Sequence, residues 1–413
     1  MSEPGKVLAS YSTINAAPLD TSLKVKRLPK NNQRIVNMNP EQLTKSLKSE
    51  AKRLGFQLSG ACPAVTPDGF DNFLDWLDRG YAGQMHYLKD RSAAYQHPSS
   101  VMSGVESLLM LGMMYQAGIP RETHEGTGRI ASYAWGPADY HDVVHKKLKS
   151  LKKFVHAIDA GIHVRGVVDT APLLERDFAQ LAGIGWKAKN TLLINKTSGS
   201  WFFLAALLLD VQLDYDVPVQ TDHCGTCTAC LDACPTDAFV EPHVLDATKC
   251  ISYLTIEHRT SIPKPLRPLM DDWILGCDVC QTVCPWNRKP QLAEETEFSP
   301  AEGQNPIELR SLFWLSEEQF RVRFRKTPLW RPKRRGILRN AAIALGNHPD
   351  QENLAALRHG LSDQEPLVRG SCAWAIGNHN AVASLSSLET ALEHEPDDEV
   401  RHEILDAINR LTA

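Results

Sequence analysis

Apolar residues first recur at helical spacing in NPEQLTKSLKSEAKRLG, where Leu43, Leu47, Ala51 and Leu54 share one face. Asn39 is placed to cap this helix, Pro40 suits its first turn, and Gly55 can end it. A second helical pattern runs through DYHDVVHKKLKSLKKFVHAI (139–158). Two shorter continuous apolar runs, VESLLMLGMMY (105–115) and IHVRGVVD (162–169), read as buried strands. WFFLAALLLDV (201–211) is too short to span a bilayer and reads as a buried strand or helix. This mixture predicts an α/β or α+β domain over 37–215, preceded by a polar, flexible extension over 1–36. No G-x-G-x-x-G follows a strand and no P-loop occurs, which argues against the usual nicotinamide and ATP sites.

The pattern changes from 335 to 413. Gly346–Asn347 and Gly377–Asn378 stand 31 residues apart, each closing an alanine-rich helical stretch, and VRHEILDAINRL (400–411) is a degenerate third copy. Arg339, Arg369 and Arg401 recur at nearly the same interval. Such a period predicts stacked helix pairs, a short HEAT-like solenoid; an unrelated helical bundle is the alternative.

Between these regions, 216–295 holds the chemistry. CGTCTACLDACP places Cys224, Cys227, Cys230 and Cys234 at C-x2-C-x2-C-x3-C-P spacing, the way a chain wraps a [4Fe–4S] cluster. CDVCQTVCP adds Cys277, Cys280 and Cys284, and Cys250 can complete a second set. In a ferredoxin-like two-cluster domain the last cysteine of each motif serves the other cluster. By that rule one set is Cys224, Cys227, Cys230 and Cys284, and the other is Cys234, Cys250, Cys277 and Cys280. Two zinc ribbons are the alternative, although zinc sites favour separated C-x2-C pairs. Cys372 reads as core packing, and Cys62 has no readable role.

Net charge is −4, so any nucleic-acid site must be local. FRVRFRKTPLWRPKRR, within a connector at 296–334 and its edge, has eight basic residues and no acidic one. Phe324 and Trp330 interleave with them, a pattern suited to phosphates with stacked bases; a solvated basic linker is the alternative. The N-terminus does not read as a secretory signal, so a cytoplasmic protein with thiols kept for metal and no membrane association is expected.

Three stretches, VDTAPLLERDFAQLAGIGWKAKNTLLI (168–194), CISYLTIEHR (250–259) and CDVCQTVCPWNR (277–288), resemble epoxyqueuosine reductases. The resemblance runs from about residue 40 to 413. It implies reduction of epoxyqueuosine to queuosine at the tRNA wobble position, with cobalamin and two [4Fe–4S] clusters. It further implies a cobalamin-binding domain over 37–215 and an electron donor such as a flavodoxin or ferredoxin. Asp169 matches the family's proton donor, and a dry pocket would raise its pKa to suit that task; capping the following helix is its plain structural reading. Arg91, Tyr133, Ala134, Asp169, Lys189, Asn190, Thr255 and Ile256 are the expected cobalamin contacts. Asp139, Tyr140 and His141 stand out as a triplet, but His141 is not assigned to cobalt. Glu175 and Arg176 are expected to pair on their helix. Arg325, Lys326, Arg331, Lys333, Arg334 and Arg335 are the expected tRNA contacts, with the repeat arginines able to continue the track. A reductive dehalogenase and an electron-carrier or cobalamin-trafficking adaptor are the competing readings.

Overall fold

The apolar runs at 105–115 and 201–211 become neighbouring strands, Ser107–Met114 and Phe202–Leu209, at the centre of a four-stranded sheet. The computed structural model describes residues 38–413; the extension expected over 1–36 lies outside the described residues. Strand order is Leu58–Pro63, Ser107–Met114, Phe202–Leu209, Val164–Val167, and every pairing is antiparallel. Of the two classes left open, this region is therefore α+β.

Both faces of the sheet are covered, which explains unbroken apolar runs in an antiparallel sheet. Leu109, Leu111, Ala205 and Leu207 pack under the helices Pro40–Arg53 and Tyr140–Ile158 through Leu47, Ala51, Val144 and Leu151. Leu108, Met110, Ala206 and Leu208 meet Phe178 and Ala179 of the helix Glu175–Leu181 on the other face. The first helix has the expected cap: Asn39 and Gln42 form a reciprocal capping box. A Cβ at Gly60 would lie 1.9 Å from the Ala182 carbonyl oxygen, so the end of helix Glu175–Leu181 can approach this strand only over glycine. Cys62 is buried in the same layer, its thiol directed at the Phe178 carbonyl.

A three-stranded sheet crosses the boundaries expected at 215 and 295. Thr127–Ile130 pairs in parallel with Trp273–Leu275 and antiparallel with Ile307–Glu308. Its core continues through Leu312, Phe320 and Phe324 into the C-terminal helices.

Those helices are Lys333–Asn347, Asn353–Gly360, Pro366–Asn378, Leu385–His394 and Asp398–Thr412. The recurring glycines mark where repeats touch. A Cβ at Gly346 would meet the Ala375 backbone at 2.9 Å, and one at Gly377 the Ala407 backbone at 3.0 Å. Cys372 is core, as expected. The recurring arginines do not face outward, which corrects their reading as an RNA track. Arg339 is fully buried and donates to the carbonyls of Leu254, His258 and Thr260. Arg369 pairs with Glu395, and Arg401 donates to the Leu392 and Glu395 carbonyls. No helix among the described residues is long and apolar enough to cross a membrane.

Candidate active site and cluster centres

The two cysteine motifs fold alike. Cys230 and Cys280 lie on matched short helices, Ala229–Asp232 and Val279–Thr282, each leading into a Cys-Pro step at Cys234 and Cys284. Cys224, Cys227, Cys230 and Cys284 line one cavity of about 260 Å³. Cys277 lies within electrostatic reach of Cys250 and Cys234, and Cys280 within reach of Cys277 and Cys250. Burial pushes the Cys250, Cys277 and Cys280 thiols up, an effect that iron coordination overrides by deprotonating its ligands. Among the described residues no three of these sulfurs lie within 4.8 Å of one another.

Asp169 stands where the strand Val164–Val167 ends, in a left-handed conformation with φ 55°. Two residues of the first turn of helix Tyr140–Ile158 converge on it. The Tyr140 hydroxyl donates to Asp169 Oδ2 at 2.6 Å, and His141 Nε2 lies 3.2 Å from the same oxygen. Tyr140 is held by a parallel stack on Phe203 at 4.2 Å, so the central sheet sets its position. Asp139 caps the helix and accepts from His141 Nδ1 at 2.7 Å. Glu175 accepts the Asp169 backbone N–H at 2.9 Å, whereas Arg176 donates to the Thr191 carbonyl; the pair expected between them is replaced by these contacts.

The electrostatics differ from the expected raised acid. Desolvation pushes the Asp169 carboxyl up, but donation from His141 and Tyr140, with the charges of His141 and Arg331, holds it below the ordinary carboxylate range. For His141, burial acts downward, yet Asp139 and Asp169 raise its pKa to about 9. Burial, joined by the Asp169 charge, raises Glu175 to about 8. At neutral pH the protons are on His141 and Glu175, and Asp169 is their carboxylate neighbour.

The other expected contact residues divide. Tyr133 is near enough to Asp278 and Asp169 for both charges to act on it, and its ring meets that of Tyr140 edge-on at 6.0 Å. Its turn, Ser132–Ala134, is tied to the second cysteine set because Asp278 accepts the Ser132 backbone N–H at 2.7 Å. Ala134 and Thr255 are fully buried; the Thr255 hydroxyl accepts the Gly276 N–H and donates to the Ile251 carbonyl. Ile256 is half-buried on the same short helix, Ile251–Ile256, which begins at Cys250. Arg91 is exposed, and its charge acts on Tyr95, which Asp169 and Glu175 also influence. Lys189 and Asn190 are committed elsewhere. Lys189 Nζ donates to the Gly225 and Cys227 carbonyls, and Asn190 Nδ2 to the Cys280 carbonyl, so they brace the cysteine loops.

In the basic connector, Arg325, Lys326 and Lys333 are exposed and form no ion pair among the described residues. Lys333 Nζ sits 4.1 Å over the Trp330 ring. Arg331 pairs with Glu257 at 2.9 Å, and its charge reaches Asp169. Arg335 stays exposed near Glu365. Arg334 is instead turned inward by a pair with Asp363 at 2.6 Å, both side chains largely buried. Phe324 is fully buried against Phe320, so it is a core residue and not a base-stacking platform.

Sequence reasoning left Tyr140 and Trp186 without roles and gave Glu175 only a pair with Arg176. Only Tyr140 carried a signal, its place beside a capping aspartate at a helix start.

Protein-family models match residues 223–287 as "4Fe-4S double cluster binding domain", 96–170 as "Epoxyqueuosine reductase QueG, DUF1730" and 334–409 as "HEAT repeats". The epoxyqueuosine reductase of Pseudomonas aeruginosa is 38% identical over 346 residues, spanning 83% of this chain and 96% of that protein. That of Escherichia coli K12 is 38% identical over 339 residues, spanning 81% and 89%. An epoxyqueuosine reductase solved with an epoxyqueuosine-modified tRNA-Tyr stem loop superposes with a TM-score of 0.85 at 33% identity, covering 91% of this chain and 100% of that one. The Bacillus subtilis enzyme, solved with its catalytic loop swung out of the active site, gives 0.83 at 33% identity, covering 90% and 100%. With a double [4Fe–4S] domain at 223–287 and helical repeats behind it, this chain belongs to the epoxyqueuosine reductase family of oxidoreductases.

Proposed function

We propose that this protein reduces epoxyqueuosine to queuosine at the wobble position of tRNA in the cytoplasm. The carrying observation is that the Tyr140 hydroxyl and His141 Nε2 converge on Asp169 Oδ2, at 2.6 and 3.2 Å, in a chain whose residues 223–287 match a double [4Fe–4S] cluster domain.

Converting an epoxide to an alkene releases the oxygen as water and consumes two electrons and two protons. No side chain here supplies such electrons. Cobalamin, when bound, would supply them, and the two clusters would restore them. Tyr133, the Ala134 backbone, Thr255 and Ile256 would hold it: the Ser132–Ala134 turn is tied to Asp278 beside Cys277, and the helix carrying Thr255 and Ile256 begins at Cys250; the exposed Arg91 would add a charge for its polar groups. In the first set Cys227 is exposed, whereas no thiol of the second set is, so electrons from a flavodoxin or ferredoxin enter at the first.

The protein residues manage the protons. His141 holds one as imidazolium and hands it on through Asp169, whose carboxylate lies within hydrogen-bond reach. Glu175 stores the second while fixing the Asp169 turn. Arg325, Lys326, Arg331, Lys333 and Arg335 contact the anticodon-stem phosphates, and the modified base leaves its stack to reach Asp169.

Anaerobic incubation of cluster-reconstituted protein, cobalamin and a strong reductant with epoxyqueuosine-containing tRNA tests this reading. Digested nucleosides should lose one oxygen by mass spectrometry only when cobalamin is present. No loss, from protein shown to hold clusters and corrin, would overturn it.

A further inference from the structure

Trp186 presents an unusual combination beside the first cysteine set. It opens the small hairpin Trp186–Lys187 with Leu193–Ile194. Its side chain is 2% exposed, and its indole N–H has no hydrogen-bond partner within the protein. A buried donor left unpaired is destabilising, so such a group points to an acceptor. The ring packs in one cluster with Cys224 and Cys284. His223 and Trp286 meet it edge-on, with centroids at 4.9 and 5.1 Å, and wall off water. The thiols of Cys224 and Cys284 are the sulfur acceptors in that cluster.

We infer that Trp186 is a positioning and tuning residue of the first [4Fe–4S] cluster, donating its indole N–H to a ligating thiolate of that set, Cys224 or Cys284, and raising the cluster's reduction potential. This rests on the reading of Cys224, Cys227, Cys230 and Cys284 as one ligand set. The physics is direct: one-electron reduction adds negative charge that spreads onto the ligating sulfurs. An N–H dipole aimed at one of them stabilises the reduced form more than the oxidised one. Because this set has the exposed thiol, the donor would act where an electron enters from a flavodoxin or ferredoxin.

The test uses the full chain with both clusters reconstituted. Iron and sulfide content and the EPR signals of dithionite-reduced wild type first establish two [4Fe–4S] clusters; their absence would overturn the ligand reading and this inference together. Potentiometric titration of Trp186→Phe should then show one cluster harder to reduce. The expected change is about tenfold in the reduced-to-oxidised ratio at fixed potential, ~59 mV for one electron, with the other cluster unmoved. Both midpoints unchanged in a variant with full iron content would overturn the inference while leaving the ligand sets intact. A second measurement needs no substitution at Trp186. Wild type grown with indole-15N tryptophan should show 15N coupling to one reduced cluster by pulsed EPR, and the coupling should persist in Trp286→Phe. Absence of coupling would also overturn the inference.

Discussion

At the residue scale, proton management depends on how Asp169 and His141 share charge. The two carboxylates flanking His141 outweigh its burial and raise its pKa to about 9, so it is protonated at neutral pH. Activity that draws on this proton should be full near pH 7 and fall as pH rises through about 9. Asp139→Asn keeps a residue able to cap the helix but removes one of the two charges. The falling limb of the kcat–pH profile should then move about one unit toward acid, measured on holoenzyme with saturating tRNA. An unmoved limb would separate His141 from the chemistry. Asp169→Asn should hold both clusters yet lose at least about a hundredfold in turnover at every pH. Asp169 itself was legible because it ends an apolar run. Its low pKa was not, because that depends on side chains 28 and 29 residues away that only the strand–helix packing brings into contact. Glu175 was equally hidden: it reaches the Asp169 N–H only because the chain turns back at a positive φ.

At the element scale, the basic connector divides its residues by burial, which a charge count does not reveal. Phe320 and Phe324 anchor the helix Glu317–Phe324 in the core, leaving Arg325 and Lys326 at its exposed end. Arg334, the third basic residue beyond Lys326 on the same strip, is taken up by Asp363. Arg325→Glu with Lys326→Glu should therefore weaken tRNA binding without unfolding the repeats. Loss of two phosphate contacts should reduce the log–log salt slope by about 1.4–1.8, depending on whether the contacted RNA is single-stranded or paired. Binding isotherms from low to high salt check this, and an unchanged slope would remove this end of the connector from the interface. The repeat helices were legible from their Gly–Asn period because glycine marks each close helix–helix approach. The arginine period was legible as well, but a recurring buried tie and a recurring RNA contact look the same in one dimension.

At the scale of the whole molecule, the repeats do more than extend a surface: they hold up the second cluster site. Asn340, fully buried on the first repeat helix, donates to the Thr255 and Ile274 carbonyls, each at 2.9 Å, and accepts from Arg339 Nε. Arg339 ties down the Leu254 carbonyl one residue earlier. Thr255 belongs to the helix that begins at Cys250, and Ile274 to the strand that leads to Cys277, so one amide braces both approaches to that cysteine set. The sheet linking Thr127–Ile130, Trp273–Leu275 and Ile307–Glu308 adds to the same support, which is why boundaries drawn from composition at 215 and 295 do not mark independent pieces. Asn340→Ala leaves two buried carbonyls and a guanidinium N–H without partners, at a cost of about 2–5 kcal/mol. The thermal midpoint should fall by about 5 °C or more. The specific consequence lies in the metal content. Iron at the second set should be lost first on mild chelation, bringing the chain toward half its iron while the first set, braced by Lys189, is retained. Iron assay with EPR during chelation follows this directly. Equal loss from both sets would show that the repeats stabilise the protein without specifically supporting the second cluster.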